Sequence, residues 1–346
     1  MPVPHAVKWL AVIVIALAAL LAGPRAEATT TCTITGITTL AFGPVDPTSG
    51  TVDGTATIDY SCTYSGGLLG GLYGVYLTGC IGLAPDDLGN VSPRTAINGN
   101  SDRMQYQLYK DSPRSNVWGP IGNATYTPLT FQLTFTILSN PQTRTGSVTV
   151  YGRVPAGQST LSSGTYSGTL AGGLNANGLA YRYNEVLLSL GTYPASCQSG
   201  GGGGGGASGA GPSSTVTASV SNLCTLATAS DLNFGSVSGL LQTNTDQTSL
   251  LRMTCTNRAA YQVGLDNGQN ASGTTRRMTS GAGFVNYELY RDTQRTLRWG
   301  ESLNVDTATG TGSGAEQTLT VYGRLPMQAA VGAGVYSDVV KVTVTY

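Results

Sequence analysis

The predicted mature part of this sequence lacks histidine, because the only histidine of the chain, His5, lies in an N-terminal segment that reads as a signal peptide. Without histidine, the mature chain cannot form a Ser-His-Asp or Cys-His pair or a His-ligated zinc site. Charged residues are also scarce at 10% of the chain, and 18 basic residues balance 18 acidic ones. We therefore expect no nucleic-acid partner.

Long apolar runs and helical periodicity are missing as well. The apolar run from Trp9 to Ala22 is shorter than the roughly 20 residues of a membrane-spanning helix. It follows Lys8 and precedes a small-x-small cleavage site that ends at Ala28. This order predicts that residues 1–28 are a secretory signal peptide and that the mature protein is exported. An uncleaved membrane anchor is the alternative.

Other catalytic patterns are weak. The adjacent acidic residues Asp86 and Asp87 could form a glycosidase pair, but neighbouring carboxylates in a loop are more typical of a solvated turn. The glycine-rich segments lack the lysine and the strand-to-helix context of a phosphate-binding loop. We expect neither an enzyme, nor a metal site, nor a cofactor.

A glycine run from Gly200 to Gly206 divides the chain. Glycine loses the most backbone entropy on ordering and offers no apolar surface, so the run predicts a flexible linker over residues 199–213. It separates a first domain, residues 29–198, from a second, residues 214–346. A disordered insert within one domain is the alternative.

The two flanks repeat the same landmarks at matching spacings. The first copy has Cys32, Leu40-Ala41-Phe42-Gly43-Pro44-Val45, Cys62, Tyr106-Gln107-Leu108-Tyr109, Trp118-Gly119, Tyr151-Gly152-Arg153 and Gly164-Thr165-Tyr166-Ser167. The second has Cys224, Leu232-Asn233-Phe234-Gly235-Ser236-Val237, Cys255, Tyr287-Glu288-Leu289-Tyr290, Trp299-Gly300, Tyr322-Gly323-Arg324 and Gly334-Val335-Tyr336-Ser337. We interpret the chain as a tandem duplication.

The pairing of the six cysteines can be inferred from the repeat and from the predicted export. An even number in an exported chain predicts disulfides. Cys32 and Cys62 occupy the places of Cys224 and Cys255, so each of these pairs should form within its own copy. Cys80 and Cys197 would then pair with each other, with two free thiols as the alternative.

Strand periodicity dominates the mature chain. The C-terminal stretch places Val340, Val342, Val344 and Tyr346 on one face and polar residues on the other. Similar short runs recur in both copies between Gly, Asn and Asp residues. We therefore predict an all-β protein with two antiparallel β-sandwich domains that resemble the immunoglobulin layout.

At these repeated landmarks the sequence resembles the spore coat U domain family, which supplies pilus subunits of the archaic chaperone-usher pathway. The resemblance implies that the second domain is an incomplete pilin sandwich, which the donor strand of an adjacent pilin subunit completes. It implies a tip adhesin that is secreted through the periplasm to the cell surface and binds abiotic or host surfaces in biofilm formation. A periplasmic chaperone and an outer-membrane usher would be its assembly partners, and Val340, Val342, Val344 and Tyr346 would bind the chaperone or the donor strand.

The position of the first cysteine bears on the choice between a tip and a shaft subunit. Cleavage after Ala28 would leave three residues before Cys32, too few for a donor strand, so we expect the chain to accept a strand without giving one. Residues 213–222, ahead of Cys224, should form the first strand of the second domain. A structural subunit of a coat or pilus shaft is the alternative function.

The first domain should also be the stable one. We expect it to fold alone because a terminal stretch, Glu185 to Tyr193, is held through Cys197 to Cys80, whereas the second domain alone should be unstable.

Leucines in glycine-rich insertions of the first copy are candidate surface-binding residues. Aligning Tyr73–Leu77 with Tyr261–Leu265 places one insertion after Cys62 and a second after Leu77. The candidates in these and a third insertion are Leu68, Leu69, Leu72, Leu83, Leu174 and Leu179. Exposed apolar loops would bind surfaces, but the same leucines could instead fold back and cover the end of the sandwich.

Overall fold

The computed structural model describes residues 29–346 except residues 49, 67–69, 137–139, 171–177, 188–189, 209–211 and 282. The predicted signal peptide and the candidates Leu68, Leu69 and Leu174 lie outside the described residues. Strands dominate the described chain, as the alternating sequence pattern predicts, and the two-domain all-β fold is confirmed. Within the described ranges, no helix is long and apolar enough to cross a membrane.

The first unit contains twelve strands within the described residues. They are β1 (Thr29–Ile37), β2 (Leu40–Pro44), β3 (Val52–Ser65), β4 (Tyr73–Ile81), β5 (Arg94–Ile97), β6 (Arg103–Tyr109), β7 (Leu129–Phe135), β8 (Gln142–Val154), β9 (Gly164–Thr169), β10 (Leu179–Leu187), β11 (Gly204–Ser208) and β12 (Thr215–Val220). One sheet has the order β1-β3-β8-β6-β5-β9-β12-β2, and the other has the order β11-β10-β4-β7. A single 3₁₀ turn, Gly70–Leu72, precedes β4.

The second unit contains eight strands within the described residues. They are β13 (Cys224–Ala229), β14 (Thr245–Cys255), β15 (Ala260–Leu265), β16 (Arg276–Ser280), β17 (Gly283–Tyr290), β18 (Ala308–Thr311), β19 (Glu316–Leu325) and β20 (Val342–Thr345). The sheet orders are β13-β14-β19-β17-β16 and β18-β15-β20. Matching registers relate β13, β14, β15 and β20 to β1, β3, β4 and β10 of the first unit.

Alternation along each strand builds both cores. In β3, Ile58, Tyr60 and Cys62 point inward, and the residues between them are less buried. The repeated tryptophans tie the two sheets of each sandwich together, because each buried indole donates a hydrogen bond to a carbonyl of the facing sheet. Trp118 Nε1 lies 2.8 Å from Ile81 O, and Trp299 Nε1 lies 2.7 Å from Val263 O.

All three predicted disulfides are confirmed. Cys32–Cys62 and Cys224–Cys255 join directly paired residues of neighbouring strands, and Cys80–Cys197 closes the third bridge. Closing a loop of about 30 residues is worth roughly 3–4 kcal/mol in the chain-entropy model. The bridges therefore stabilise sandwiches that are rich in glycine and loops.

The prediction of a flexible glycine linker is wrong for much of the run. Gly204–Ser208 forms β11, which pairs antiparallel with β10 from Tyr183 back to Leu179. A Cβ atom on Gly205 would lie 2.5 Å from the carbonyl oxygen of Tyr181, and one on Gly206 would lie 2.5 Å from the Tyr181 hydroxyl. Glycine is required here because the chain approaches β10 more closely than any side chain permits.

The assignment of residues 213–222 to the second domain is also wrong. Thr215–Val220 forms β12, which pairs antiparallel with β9 and parallel with β2 of the first unit. The predicted boundary at residue 214 therefore assigns the last strand of the first sandwich to the second domain. Residues 204–208 and 215–220, not the predicted stretch Glu185–Tyr193, run along β10 and β9 and close that sandwich.

The extra residues of the first copy lengthen its β3–β4 hairpin. The structure therefore corrects the predicted alignment of the two copies. Trp118 and Trp299 contact equivalent carbonyls, so Ile81 corresponds to Val263 and not to a later residue. From Cys62 to Ile81 is 19 positions, whereas from Cys255 to Val263 is 8. The whole insertion thus falls in the β3–β4 hairpin, which extends one end of the first sandwich.

Candidate strand-acceptor groove and apolar end

In the first sandwich, the strand β12 fills the slot between β2 and β9. Val216, Ala218 and Val220 of β12 point into the core and are buried, and the residues between them are less buried. They cover Leu40 and Phe42 of β2 and Tyr166 of β9, which are all buried as well. A strand with small apolar residues at every second position therefore fills this slot.

The second sandwich has the same two walls. Gly235 has a φ of 74°, and its counterpart Gly43 has a φ of 72°. The hydroxyl of Tyr336 donates to Gly332 O at 2.9 Å, as Tyr166 donates to Ser162 O at 2.8 Å. The two walls, residues 232–237 and 334–346, therefore have the same local geometry as in the first unit, although no described strand lies between them.

No described residue fills the slot between these walls, and the core beneath it is open to solvent. Val237 is 42% exposed, whereas its counterpart Val45 is 5% exposed. Tyr346 is 51% exposed, whereas its counterpart Tyr181 is 6% exposed. We call the slot between residues 232–237 and 334–346 the acceptor groove.

The residues predicted to bind a donor strand lie on one wall of this groove. Val342 and Val344 belong to β20, whose inner edge pairs with β15. In the first unit the other edge of the equivalent strand, β10, pairs with β11, but in the described part of the second unit that edge has no partner strand. Val340, Val342 and Val344 are half-buried against the core, and their role stays a prediction.

The far end of the first unit is apolar. The β3–β4 and β7–β8 hairpins and the turn after β10 meet there, because Leu187 pairs with Tyr73 and Val75 with Phe135. Leu187 is 52% exposed and Leu190 is 93% exposed. We call this region the apolar end. Leu187 and Leu190 were not among the predicted surface-binding residues, because they lie outside the insertions of the first copy.

The predicted surface-binding leucines divide into three groups. Leu72 is half-buried in the short turn before β4, so its role stays a prediction. Leu83 and Leu179 are 2% and 0% exposed in the core of the first unit, so the prediction is wrong for these two, and the core-covering alternative applies to them. Leu68, Leu69 and Leu174 lie outside the described residues.

The turn that carries Leu190 is held firmly. Tyr193 packs edge-on against Tyr76 with ring centroids 5.5 Å apart, and its hydroxyl lies 2.7 Å from Thr134 Oγ1. Thr78 Oγ1 donates to Pro194 O at 2.8 Å, close to the Cys80–Cys197 bridge. Exposed leucines on a fixed support lose little entropy on binding.

A partly buried carboxyl group, that of Glu185, lies beneath the apolar end. Burial raises the pKa of Glu185, and the neighbouring Tyr64 hydroxyl partly offsets this rise. Burial, with Glu185 as the second cause, also raises the pKa of Tyr64. Beside them, Asn140 bridges the two hairpins, because its amide accepts a hydrogen bond from Gly66 N at 3.0 Å and donates to Gly66 O.

The acidic pair considered as catalytic is part of a turn. Asp86 accepts hydrogen bonds from the backbone N–H groups of Asn90 at 2.7 Å and Thr95 at 3.0 Å, and Asp87 forms an ion pair with Arg103 at 2.7 Å. Burial alone would raise the pKa of Asp86, but these hydrogen bonds outweigh it and lower the pKa. Among the described residues, no cluster of His, Cys, Asp and Glu could hold a metal ion.

Fold and groove define a class of protein: a tandem β-sandwich protein with one completed and one incomplete sandwich. The model of the Spore Coat Protein U domain matches residues 17–172 and 212–343. The chain therefore belongs to the Spore Coat Protein U domain family. This membership places it among structural and adhesive proteins and not among enzymes.

Adhesins of pili are among the solved structures that match this chain. The chaperone–tip subunit pre-assembly complex CsuC–CsuE of archaic chaperone-usher Csu pili from Acinetobacter baumannii matches with 18% identity, 91% of this chain, 100% of that chain and a TM-score of 0.48. The CupB6 tip adhesin from Pseudomonas aeruginosa matches with 13% identity, 93% and 94% coverage and a TM-score of 0.32. The CfaE adhesin of enterotoxigenic E. coli matches with 12% identity, 78% and 81% coverage and a TM-score of 0.26. No curated protein matches the sequence.

Proposed function

We propose that this protein is the tip adhesin of an archaic chaperone-usher pilus. It attaches cells to surfaces through the apolar end and joins the pilus through the acceptor groove. One observation carries the proposal: residues 204–208 and 215–220 fill the strand slot of the first sandwich, and no described residue fills the same slot of the second.

The second sandwich accepts the donor strand of an adjacent pilin subunit, because an open edge over an apolar core favours β-strand addition. Before assembly, a periplasmic chaperone occupies the groove, and an outer-membrane usher exports the complex to the cell surface. Exposed Val237 and Tyr346 would otherwise promote aggregation.

The position at the tip is supported by the state of the first sandwich. Its first strand, β1, pairs with β3 from Thr29 to Ile37. Each strand between residues 29 and 220 that the structure describes is taken up by the sheets of the first unit. Among the described residues of this range, no strand is therefore left to donate to a further subunit.

Adhesion follows from the exposed leucines. Burying one leucine contributes about 1.5–3 kcal/mol, so a few leucines give weak binding per molecule. Many pili on one cell convert weak contacts into firm attachment to an abiotic or host surface, which supports biofilm growth.

The test is attachment of piliated cells to a hydrophobic surface. Cells carrying Leu187→Ser with Leu190→Ser should assemble pili normally but attach several-fold less. Leu88→Ser, which changes an exposed leucine in the turn after β4, is the matched control and should attach normally. Unchanged attachment by the double variant would remove these leucines from the binding site.

A further inference from the structure

The connection between the two units is short and held by hydrogen bonds. Only residues 221–223 separate β12 from β13. Thr256 N donates to Leu223 O at 2.8 Å, Leu223 N donates to Thr256 Oγ1 at 3.0 Å, and the Thr256 hydroxyl contacts Ser221 O at 3.2 Å. The exit from the first sandwich is therefore fixed on the surface of the second.

The loop after Cys255 docks on the end of the first unit opposite the apolar end. Asn257 Nδ2 donates to Thr160 O at 2.6 Å, and Asn257 forms a parallel backbone bridge with Ser162. Arg258 Nη1 lies 3.3 Å from Asp102 Oδ1. We call these contacts between Asn257 or Arg258 and Asp102, Thr160 or Ser162 the latch.

The first-unit side of the latch is built in advance. Asp102 accepts hydrogen bonds from the backbone N–H of Ser162 at 3.2 Å and from the Ser162 hydroxyl. The amides of Asn98 and Asn100 each donate to the same hydroxyl at 3.2 Å. Because Asp102 is held in place, its carboxylate meets Arg258 with little loss of side-chain entropy.

The backbone conformation of two loops of the second unit also suits close contact with the first unit. Arg258 has a φ of 62°, which turns the loop toward the first unit. Gly314 has a φ of 74°, and a Cβ atom there would lie 1.8 Å from Ser159 O. A second loop of the second unit thus touches the first unit so closely that only glycine fits.

The two copies use the same hairpin in different ways. In the first copy the residues after Cys62 continue β3 toward the apolar end, whereas after Cys255 the hairpin is short, polar and docked. Ser162 corresponds to Gly332 in the second copy, because Tyr166 and Tyr336 donate to the carbonyls of these two residues. Gly332 has no hydroxyl group to hold a carboxylate as Ser162 holds Asp102, so the second copy lacks this part of the latch.

We infer that the latch locks the two sandwiches into one rigid body, so that the apolar end keeps a fixed direction relative to the acceptor groove. An exposed ion pair alone contributes little to stability, so rigidity depends on the ion pair, the Asn257 amide and the hydrogen-bonded connector together. The inference does not depend on what the apolar end binds.

The test compares the rotational diffusion of the two units in the full chain by ¹⁵N amide relaxation. Asn257→Ala with Arg258→Asn removes both side chains from the second unit, and asparagine tolerates the positive φ of position 258. Arg103→Asn, which breaks the Arg103–Asp87 ion pair within the first unit, is the matched control.

The wild type and the control should show one rotational correlation time for both units. The double variant should show two shorter correlation times, with unchanged amide shifts away from the joint. Asn257→Ala with Asp102→Asn should decouple the units in the same way. Independent tumbling of the wild-type units, or one common correlation time in both double variants, would overturn the inference.

Discussion

Leu179 and Val344 occupy equivalent positions in the two repeats, opposite Ile81 and Val263, yet Leu179 is completely buried and Val344 is half exposed. The difference arises because β11 pairs with the outer edge at Leu179, and no described strand pairs with that edge at Val344. One molecule thus contains both the completed and the open form of the same sandwich.

The first prediction concerns the acceptor groove. A peptide with the sequence of residues 204–220 should bind the second sandwich and raise its melting temperature in the full chain. At a peptide concentration 100 times the Kd, the gain is about 2.7 kcal/mol. Val344→Glu should abolish the gain because it places a charge in the apolar groove.

Thr345→Glu is the matched control, since Thr345 is exposed and points away from the core. It should keep the peptide-induced rise in melting temperature. An equal rise in both variants would show that the peptide does not bind in the acceptor groove.

How far the sequence predicts this structure is clearest at the cysteines and at the glycine run. Repeat spacing was sufficient to pair Cys32 with Cys62 and Cys224 with Cys255, because equivalent positions must satisfy the same geometry. The glycine run was misread because the absence of side chains suits both a flexible coil and a strand in close contact. The deciding neighbour, Tyr181, is remote in sequence from Gly205.

The predicted surface-binding leucines show a second limit of sequence reasoning. Leucine next to glycine reads as exposed, but Leu179 lies on the inner face of β10, and Leu83, just after β4, packs in the same core. To predict that these two leucines are buried, one needs the correct alignment between the two copies. Tyr73–Leu77 and Tyr261–Leu265 look alike, and the hydrogen bond of Trp118 to Ile81 O was needed to show the true register.

The second prediction tests the glycine strand. Gly205→Ala should destabilise the first sandwich by about 1–3 kcal/mol, because the added Cβ would lie 2.5 Å from the backbone oxygen of Tyr181. Gly202→Ala is the control, since a Cβ there meets nothing within 4 Å. Thermal unfolding of the full chain measures both, and equal melting temperatures would mean that the run is not closely packed.

The third prediction concerns two equivalent buried arginines. Arg276 is 0% exposed, pairs with Glu288 and donates to the carbonyls of Leu265 and Trp299 at 2.7 Å. Its counterpart Arg94 is equally buried, but Gln107 takes the place of the carboxylate, and burial lowers the pKa of Arg94.

Glu288→Gln should therefore destabilise the second sandwich by about 3–5 kcal/mol, because it leaves a buried charge without its partner. Gln107→Glu should stabilise the first sandwich by about 1.5–3 kcal/mol through a charged hydrogen bond. Denaturant unfolding of each variant measures these changes. A loss of stability in Gln107→Glu would show that Arg94 does not need a carboxylate.

The last prediction is a pH dependence that arises from Glu185 beneath the apolar end. Burial raises its folded-state pKa above the ordinary value of 4.5, so the folded chain binds this proton more tightly than the unfolded chain does. The free energy of unfolding must then fall as pH rises from about 4.5 through the folded-state pKa, and level off above it. Glu185→Gln removes the titrating group and with it the decrease in the free energy of unfolding. The melting temperature of the variant should therefore be close to that of the wild type at pH 4 and higher than that of the wild type at pH 7. Glu316→Gln makes the same change at an exposed ion pair with Arg252 and should show no such gain between pH 4 and 7. A Glu185→Gln variant that melts below wild type at pH 7 would show that the ionised carboxylate stabilises this end of the sandwich.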